Sequence, residues 1–164
     1  MTIQKLTIAH KQQLDLLIDH TEAALTDKAF WLPIKNEARA HFFDDEWTEF
    51  YGAFDGERLI GAAALFYKEF EYGESLRRLN VNCRKVAEIG RAMVHQDYRG
   101  NHVLYSINLY LVSIAKEKGI DLLLATIHPA NTPSRKSFEK LGMEKQCTYI
   151  KSDGFIRDIF TMRI

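Results

Sequence analysis

Apolar positions recur along this chain with two periods, and the switches between them outline an order of elements. Residues 3–8 read as a short strand, and residues 10–20 carry Leu14, Leu17 and Ile18 at helical spacing. Pro33 opens a second predicted helix through Ile34, Ala38 and His41-Phe42, and the turn-forming pair Asp44-Asp45 closes it. Residues 49–54 read as a strand, Asp55-Gly56 as a hairpin turn and residues 59–70 as a long return strand. Residues 71–85, with Gly73, three arginines and Asn80-Val81-Asn82, read as a variable loop or ragged strand ends.

The second half is more regular. Residues 86–94 form a strand that leads through residues 95–98 into Arg99-Gly100-Asn101-His102. A helix follows with Val103, Ile107, Tyr110, Leu111 and Ile114 on one stripe, and it stops at Lys118-Gly119. An apolar strand over residues 121–127 leads to His128-Pro129-Ala130-Asn131, then a helix runs into Leu141-Gly142. Residues 143–151 and 155–164 read as two strands about a turn at 152–154. The predicted order is strand, two helices, three strands, helix, strand, helix, two strands. It describes one α/β (α+β) domain over residues 1–164, with about seven strands in a mixed sheet and helices on both faces.

Composition narrows the partners. Lysine plus arginine and aspartate plus glutamate stand at 22 each, so no large basic face is called for and nucleic acid is not expected. No apolar run suits a signal peptide or a membrane span. Cys83 and Cys147 read as reduced thiols, and the expected compartment is the cytoplasm. No clustering of ligand-type side chains suggests a metal.

The chemistry concentrates after residue 94. A strand, a turn of Arg99 and Gly100, and a helix N-terminus together make an anion cradle, because free amide N–H groups and the helix dipole both favour a phosphate there. A phosphorylated cofactor is expected.

The same stretch resembles the GNAT superfamily of acyl-CoA-dependent N-acyltransferases. The likeness lies in the strand ending at Val94, Arg99-Gly100 opening the phosphate loop, Asn131 after the next strand, and Leu141-Gly142. It implies a V-shaped opening between the two central strands and an acetyl-CoA cofactor. Arg99, Gly100, Asn101, His102, Val103 and Leu104 would hold the pyrophosphate, and backbone groups of Met93 and Val94 the pantetheine. Asn131, Ser134 and Phe138 would line the channel, although Asn131 equally suits a helix cap. The implied reaction moves acetyl from acetyl-CoA directly to a primary amine of a small molecule or peptide. Oligomeric state is open, a homodimer included.

Two departures qualify the resemblance. The family's loop reads Arg/Gln-x-x-Gly-x-Gly or Ala, and here His102 and Leu104 stand at the last two positions. Many members carry a tyrosine general acid where this chain has Phe138. Glu88 is the candidate general base, by likeness to the histone-acetylating branch and because burial would raise its pKa. His128 is the second candidate. Tyr149 and Tyr105 are the remaining candidate acids, and Cys147 has no clear partner for covalent catalysis. Trp31, Phe42, Phe43, Trp47, Tyr51 and Tyr72 enrich the acceptor half in aromatics, and Asp44, Asp45 and Glu46 could attract a cationic amine. The competing reading is a non-catalytic acyl-CoA-binding or sensing domain.

Overall fold

The computed structural model describes residues 1–164. Seven strands form one sheet: β1 (Thr2–Lys5), β2 (Thr48–Asp55), β3 (Arg58–Phe66), β4 (Val86–Val94), β5 (Leu122–Ile127), β6 (Glu144–Ile150) and β7 (Ile156–Arg163). Their order is β1-β2-β3-β4-β5-β7-β6, and only β4 and β5 run parallel. The five helices are α1 (Lys11–Ala23), α2 (Asn36–Ala40), α3 (Glu69–Arg78), α4 (Val103–Glu117) and α5 (Thr132–Lys140).

Each face of the sheet buries its own cluster. On one side, Ile107 and Leu111 of α4 pack over Ile60, Leu65, Ala87 and Ile89. On the other, Leu14 and Ile18 of α1 pack over Phe50, Ala62, Ala64 and Met93. Strand side chains alternate between faces, so the helices select which positions must be apolar.

Helix α3 corrects the sequence reading. Residues 59–70 do not continue as one strand: β3 ends at Phe66, and Glu69–Arg78, expected as loop or strand end, is helical. The signal is present in retrospect. Tyr72, Leu76 and Leu79 share a face and pack on Val86, Leu122 and Leu124. Glu69 and Glu71 occupy the first turn and Arg77 and Arg78 the last, which suits the helix dipole. Pro33 does not open α2 either. It precedes a single short helix at Asn36–Ala40, after a 3-10 turn at Lys28–Phe30.

Two features of β4 shape the site. First, it carries a bulge. Ala62 pairs with Met93 and Ala64 with Gly90, so β4 spends one residue more than β3 over that interval. Arg91 sits at the bulge with φ 51. The extra residue reverses the alternation: Ala87 and Ile89 face α4, whereas Met93 faces α1. Second, β4 pairs with β5 only from Val86↔Leu122 to Glu88↔Leu124. Beyond that point β5 stays on β7 as far as Ile127↔Asp158, while β4 remains on β3 as far as Gly61↔Val94. The two central strands therefore part, and the edge of β4 after Glu88 faces a gap.

Candidate functional site

The loop at the mouth of this gap presents a row of free amides. Gly100 has φ 81 and His102, at the N-cap of α4, has φ 58. Both are left-handed, so the chain turns sharply into the helix. Glycine adopts that conformation freely, whereas histidine is strained there. The amide N–H groups of Gly100 through Tyr105 donate to no acceptor in the chain. Six consecutive donors thus stand free beside Arg99. His102 does not replace them, since its side chain makes no cap bond. The side chain of Asn101 turns back to the carbonyls of Tyr98 and Arg99, 3.3 Å from each.

Two cavities adjoin along the gap. The larger, about 730 Å³, is lined by the cradle residues Arg99, Gly100, His102, Val103 and Leu104, and by Met93 and Val94 of β4. The smaller, about 120 Å³, holds Glu88, His128 and Phe138. Phe30, Trp31, Ala92, Asn131 and Ser134 line both. The candidate site residues therefore fall into two groups that meet at Asn131 and Ser134. Asn101 lines neither cavity, and Phe138 lines only the smaller.

Asn131 is the N-cap of α5: its Oδ1 accepts from the Ser134 N–H at 3.4 Å. Pro133 in the first turn needs no hydrogen bond there. At the other end, Gly142, with φ 92, turns the chain so that the Met143 N–H reaches the Phe138 carbonyl at 3.1 Å. Phe138 is thereby fixed as a wall of the small pocket.

Glu88 occupies the last position of β4 that pairs with β5, and its side chain is buried. No lysine or arginine forms an ion pair with it, and the Thr126 hydroxyl is its hydrogen-bond donor, at 3.2 Å. Burial, with the nearby Glu71 carboxylate adding repulsion, pushes its pKa up to about 7. Lys151, Thr126 and Arg91 act in the opposite direction without offsetting these. Arg91 does not neutralise Glu88: it donates to the Leu32 and Pro33 carbonyls.

Glu49, in contrast, is a buried carboxylate with partners. Lys118 lies 2.8 Å away, Lys5 3.3 Å and the Tyr67 hydroxyl 3.1 Å. Burial alone would raise its pKa, but these partners hold it below the usual glutamate value. One buried carboxylate is held as an anion by its partners, while the other has its pKa raised by burial.

His128 also faces the small pocket. Its Nδ1 accepts from the Ala130 N–H at 3.1 Å, which leaves Nε2 as the free ring nitrogen. Phe30 packs against the ring with centroids 4.9 Å apart. Of the candidate acids, Tyr149 lies outside both cavities, with its hydroxyl 2.7 Å from Ser75 Oγ. Tyr105 lines the large cavity beneath Lys140. Cys147 packs against the cluster under α3. Asp44 pairs with His41 and Asp45 with Lys5, so the acidic turn serves local structure.

Several lining residues escaped sequence reasoning. Glu71 sits on the helix read as a loop. Arg91 and Arg157 meet at the small pocket from strands far apart in sequence. Gly90 next to Arg91 is the available signal, since glycine inside a strand often marks a bulge.

A parted pair of parallel strands beside an open anion cradle is the arrangement expected of an acyl-CoA-dependent acyltransferase. The chain matches the Acetyltransferase (GNAT) family over residues 12–143, most of its length, and belongs to that family. Among curated proteins, none matches the sequence. Solved structures share the fold at low identity. A ribosomal-protein-alanine N-acetyltransferase from Brucella melitensis superposes with TM-score 0.73 at 18% identity, covering 100% of both chains. The ribosomal-protein-S18-alanine N-acetyltransferase from Escherichia coli gives 0.72 at 14%, covering 99% of this chain and 93% of that one. A chain of the NatC complex bound to Gag peptide and CoA gives 0.73 at 14%, covering 99% and 98%. No helix is long and apolar enough to cross a membrane.

Proposed function

We propose that the protein is an acetyl-CoA-dependent N-acetyltransferase that acts by direct transfer in a ternary complex, with Glu88 as general base. The observation that carries this is the meeting of the two cavities at Asn131 and Ser134. One holds the free amide row from Gly100 to Tyr105, and the other a buried carboxyl poised near neutrality. Solved relatives with the same fold include a chain seen with CoA and enzymes named for acetylating alanine on ribosomal proteins.

Acetyl-CoA supplies the thioester carbon that the amine attacks. The chain's residues prepare that attack. Amides 100–105 and Arg99 hold the diphosphate, and the edge of β4 that faces the gap at Val94 aligns the pantetheine arm, next to Met93, whose carbonyl turns toward Gly61 of β3. Glu88 takes the proton from the substrate ammonium and so exposes the nitrogen lone pair. As the C–S bond breaks, the acylated nitrogen releases its second proton to solvent or to the departing thiolate, which needs no strong acid because a thiol pKa of about 8.5 makes it a competent leaving group. Phe138 in place of a tyrosine is consistent with such a departure. The two cysteines, both free thiols, suit a reducing cytoplasm.

Titration with acetyl-CoA and thiol release with an amine panel test the proposal. Acetyl-CoA binding together with amine-dependent thiol release is expected. Absence of acetyl-CoA binding would overturn it. Binding without turnover by any amine would favour the sensing-domain alternative.

A further inference from the structure

The small pocket has a charge pattern that names a substrate class. Arg157 on β7 is 2% exposed, and Arg91 on the β4 bulge is half-buried; both line the cavity that holds Glu88. Arg157 donates to the Ile156 carbonyl at 2.7 Å and the Ala29 carbonyl at 2.8 Å. Arg91 donates to the Leu32 and Pro33 carbonyls. Neither guanidinium has a carboxylate within 4.0 Å. Carbonyls satisfy N–H groups but do not neutralise the charge, and a buried charge ordinarily has a counterion. The acids that act on Arg91 are Glu71, Glu88 and Glu22, and the acid that acts on Arg157 is Asp153, all of them beyond ion-pair distance, while Arg157 also feels Arg91 as a like charge.

The other charged residues lining the pocket are Glu71, Glu88 and Lys151. Lys151 reaches Glu74, outside the pocket lining, at 4.0 Å. Two acids against three bases leave an excess of positive charge, and the two guanidiniums are the deeply set part of it. Arg91 is also held at φ 51, a left-handed conformation that costs about 1 kcal/mol or more for a residue with a Cβ. The pocket volume, about 120 Å³, is close to that of a cavity of roughly 150 Å³ that takes a benzene-sized guest. The space therefore suits a small molecule with a negative end for the arginines and a positive end for the carboxyls.

We propose that the acceptor is an amino acid or a close amino-carboxylate analogue, its carboxylate gripped by Arg91 and Arg157 and its amine turned toward Glu88. This rests on the acetyltransferase reading of the same site. Arginine suits the task because its planar fork meets a carboxylate through two parallel hydrogen bonds. Both arginines also tie down the segment at residues 29–33, whose Phe30, Trp31 and Leu32 wall the pocket. Both Nη atoms of each arginine already give one hydrogen to a carbonyl, so a bound carboxylate would meet the Nε–H and the second Nη hydrogens.

The test uses matched ligands on the native protein. Each proteinogenic amino acid is compared with its amide and its decarboxylated amine, by calorimetric titration with and without CoA and by thiol release from acetyl-CoA. At least one amino acid is expected to bind about tenfold or more tightly than both counterparts, the scale of a charge-assisted hydrogen bond. In Arg91→Gln and Arg157→Gln that preference should vanish while affinity for acetyl-CoA is retained. A purely structural role for the arginines would lower melting temperature without changing the preference. Equal or weaker binding of every amino acid relative to its counterparts overturns the inference, and the native protein alone decides this. Donor titration without any amine reads the transferase proposal separately, so the two fail distinguishably.

Discussion

The Thr126 hydroxyl donates to Glu88 Oε1 at 3.2 Å, spanning the point where β5 leaves β4. The bond joins the last paired residue of one strand to the first part of the other that lies over the gap. It is the donor that favours the charged form of Glu88 in a setting where burial and Glu71 oppose it. The Thr126 bond and the charges of Lys151 and Arg91 oppose the upward push without cancelling it.

The rate of acetyl transfer, as kcat/KM against pH, should rise through an apparent pKa of about 7 and level off above it, because only ionised Glu88 accepts a proton. Glu88→Gln should remove this limb and slow the reaction by about a hundredfold or more. Thr126→Val removes the donor to the anion, so the limb should move to higher pH. A wild-type profile flat between pH 5 and 8 would refute the assignment.

Stability should respond to Glu88 in the opposite sense to activity. Its folded pKa lies above the ordinary value of 4.5, so the folded state binds this proton more tightly. The contribution to stability is full below about pH 4.5 and is lost as pH rises through about 7. At pH 8 the buried anion costs about 3 kcal/mol. Denaturant melts of Glu88→Gln should therefore show a gain of this order at pH 8 and little change at pH 4.5.

His102 should be replaceable by the residue its backbone favours. With φ 58, glycine relieves strain worth about 1 kcal/mol, so His102→Gly is expected to melt higher. Its affinity for CoA should stay the same or tighten, since the amide row is untouched. A loss of CoA affinity of tenfold or more in this variant would show that the imidazole itself holds a phosphate.

The seat of α4 depends on Gly61 of β3. A Cβ there would lie 3.0 Å from Val103 Cγ1, 3.1 Å from the Met93 carbonyl and 3.2 Å from Ile107 Cδ1. Gly61→Ala pushes at once on the first turn of α4 and on the end of β4 that carries Met93. It should destabilise by about 1–3 kcal/mol and weaken CoA more than it weakens the acceptor. Thermal melts and paired titrations check both parts.

The regions most legible in the sequence are those in which local signals agree. Strand β4 is read at residues 86–94 because apolar residues fill it up to the linker, and α4 is bounded by the Arg99-Gly100 turn and by Gly119, with φ 69. Glu88, His128 and Asn131 stand out in the sequence because each sits within or just past a strand on that side of the sheet. Helix α3 was obscured by Gly73 and by a polar surface that leaves only Tyr72, Leu76 and Leu79 as a stripe. The meeting of Arg91 and Arg157 is not legible in the sequence, for another reason. Their meeting depends on β5 and β7 being neighbours and on a bulge that redirects β4, and both are long-range facts with no local pattern. The free amides at Gly100–Tyr105 lie between these cases: the turn is local, while their aim into a gap is set by where β4 and β5 part.

The central claim is that those amides grip a diphosphate beside a parted pair of strands, and amide NMR of the ¹⁵N-labelled protein titrated with CoA tests it most directly. The account predicts large shifts concentrated at Gly100 through Tyr105 and at Met93 and Val94, with residues of β1 and β6 unmoved. Saturable shifts centred elsewhere, or none at millimolar CoA, would contradict it.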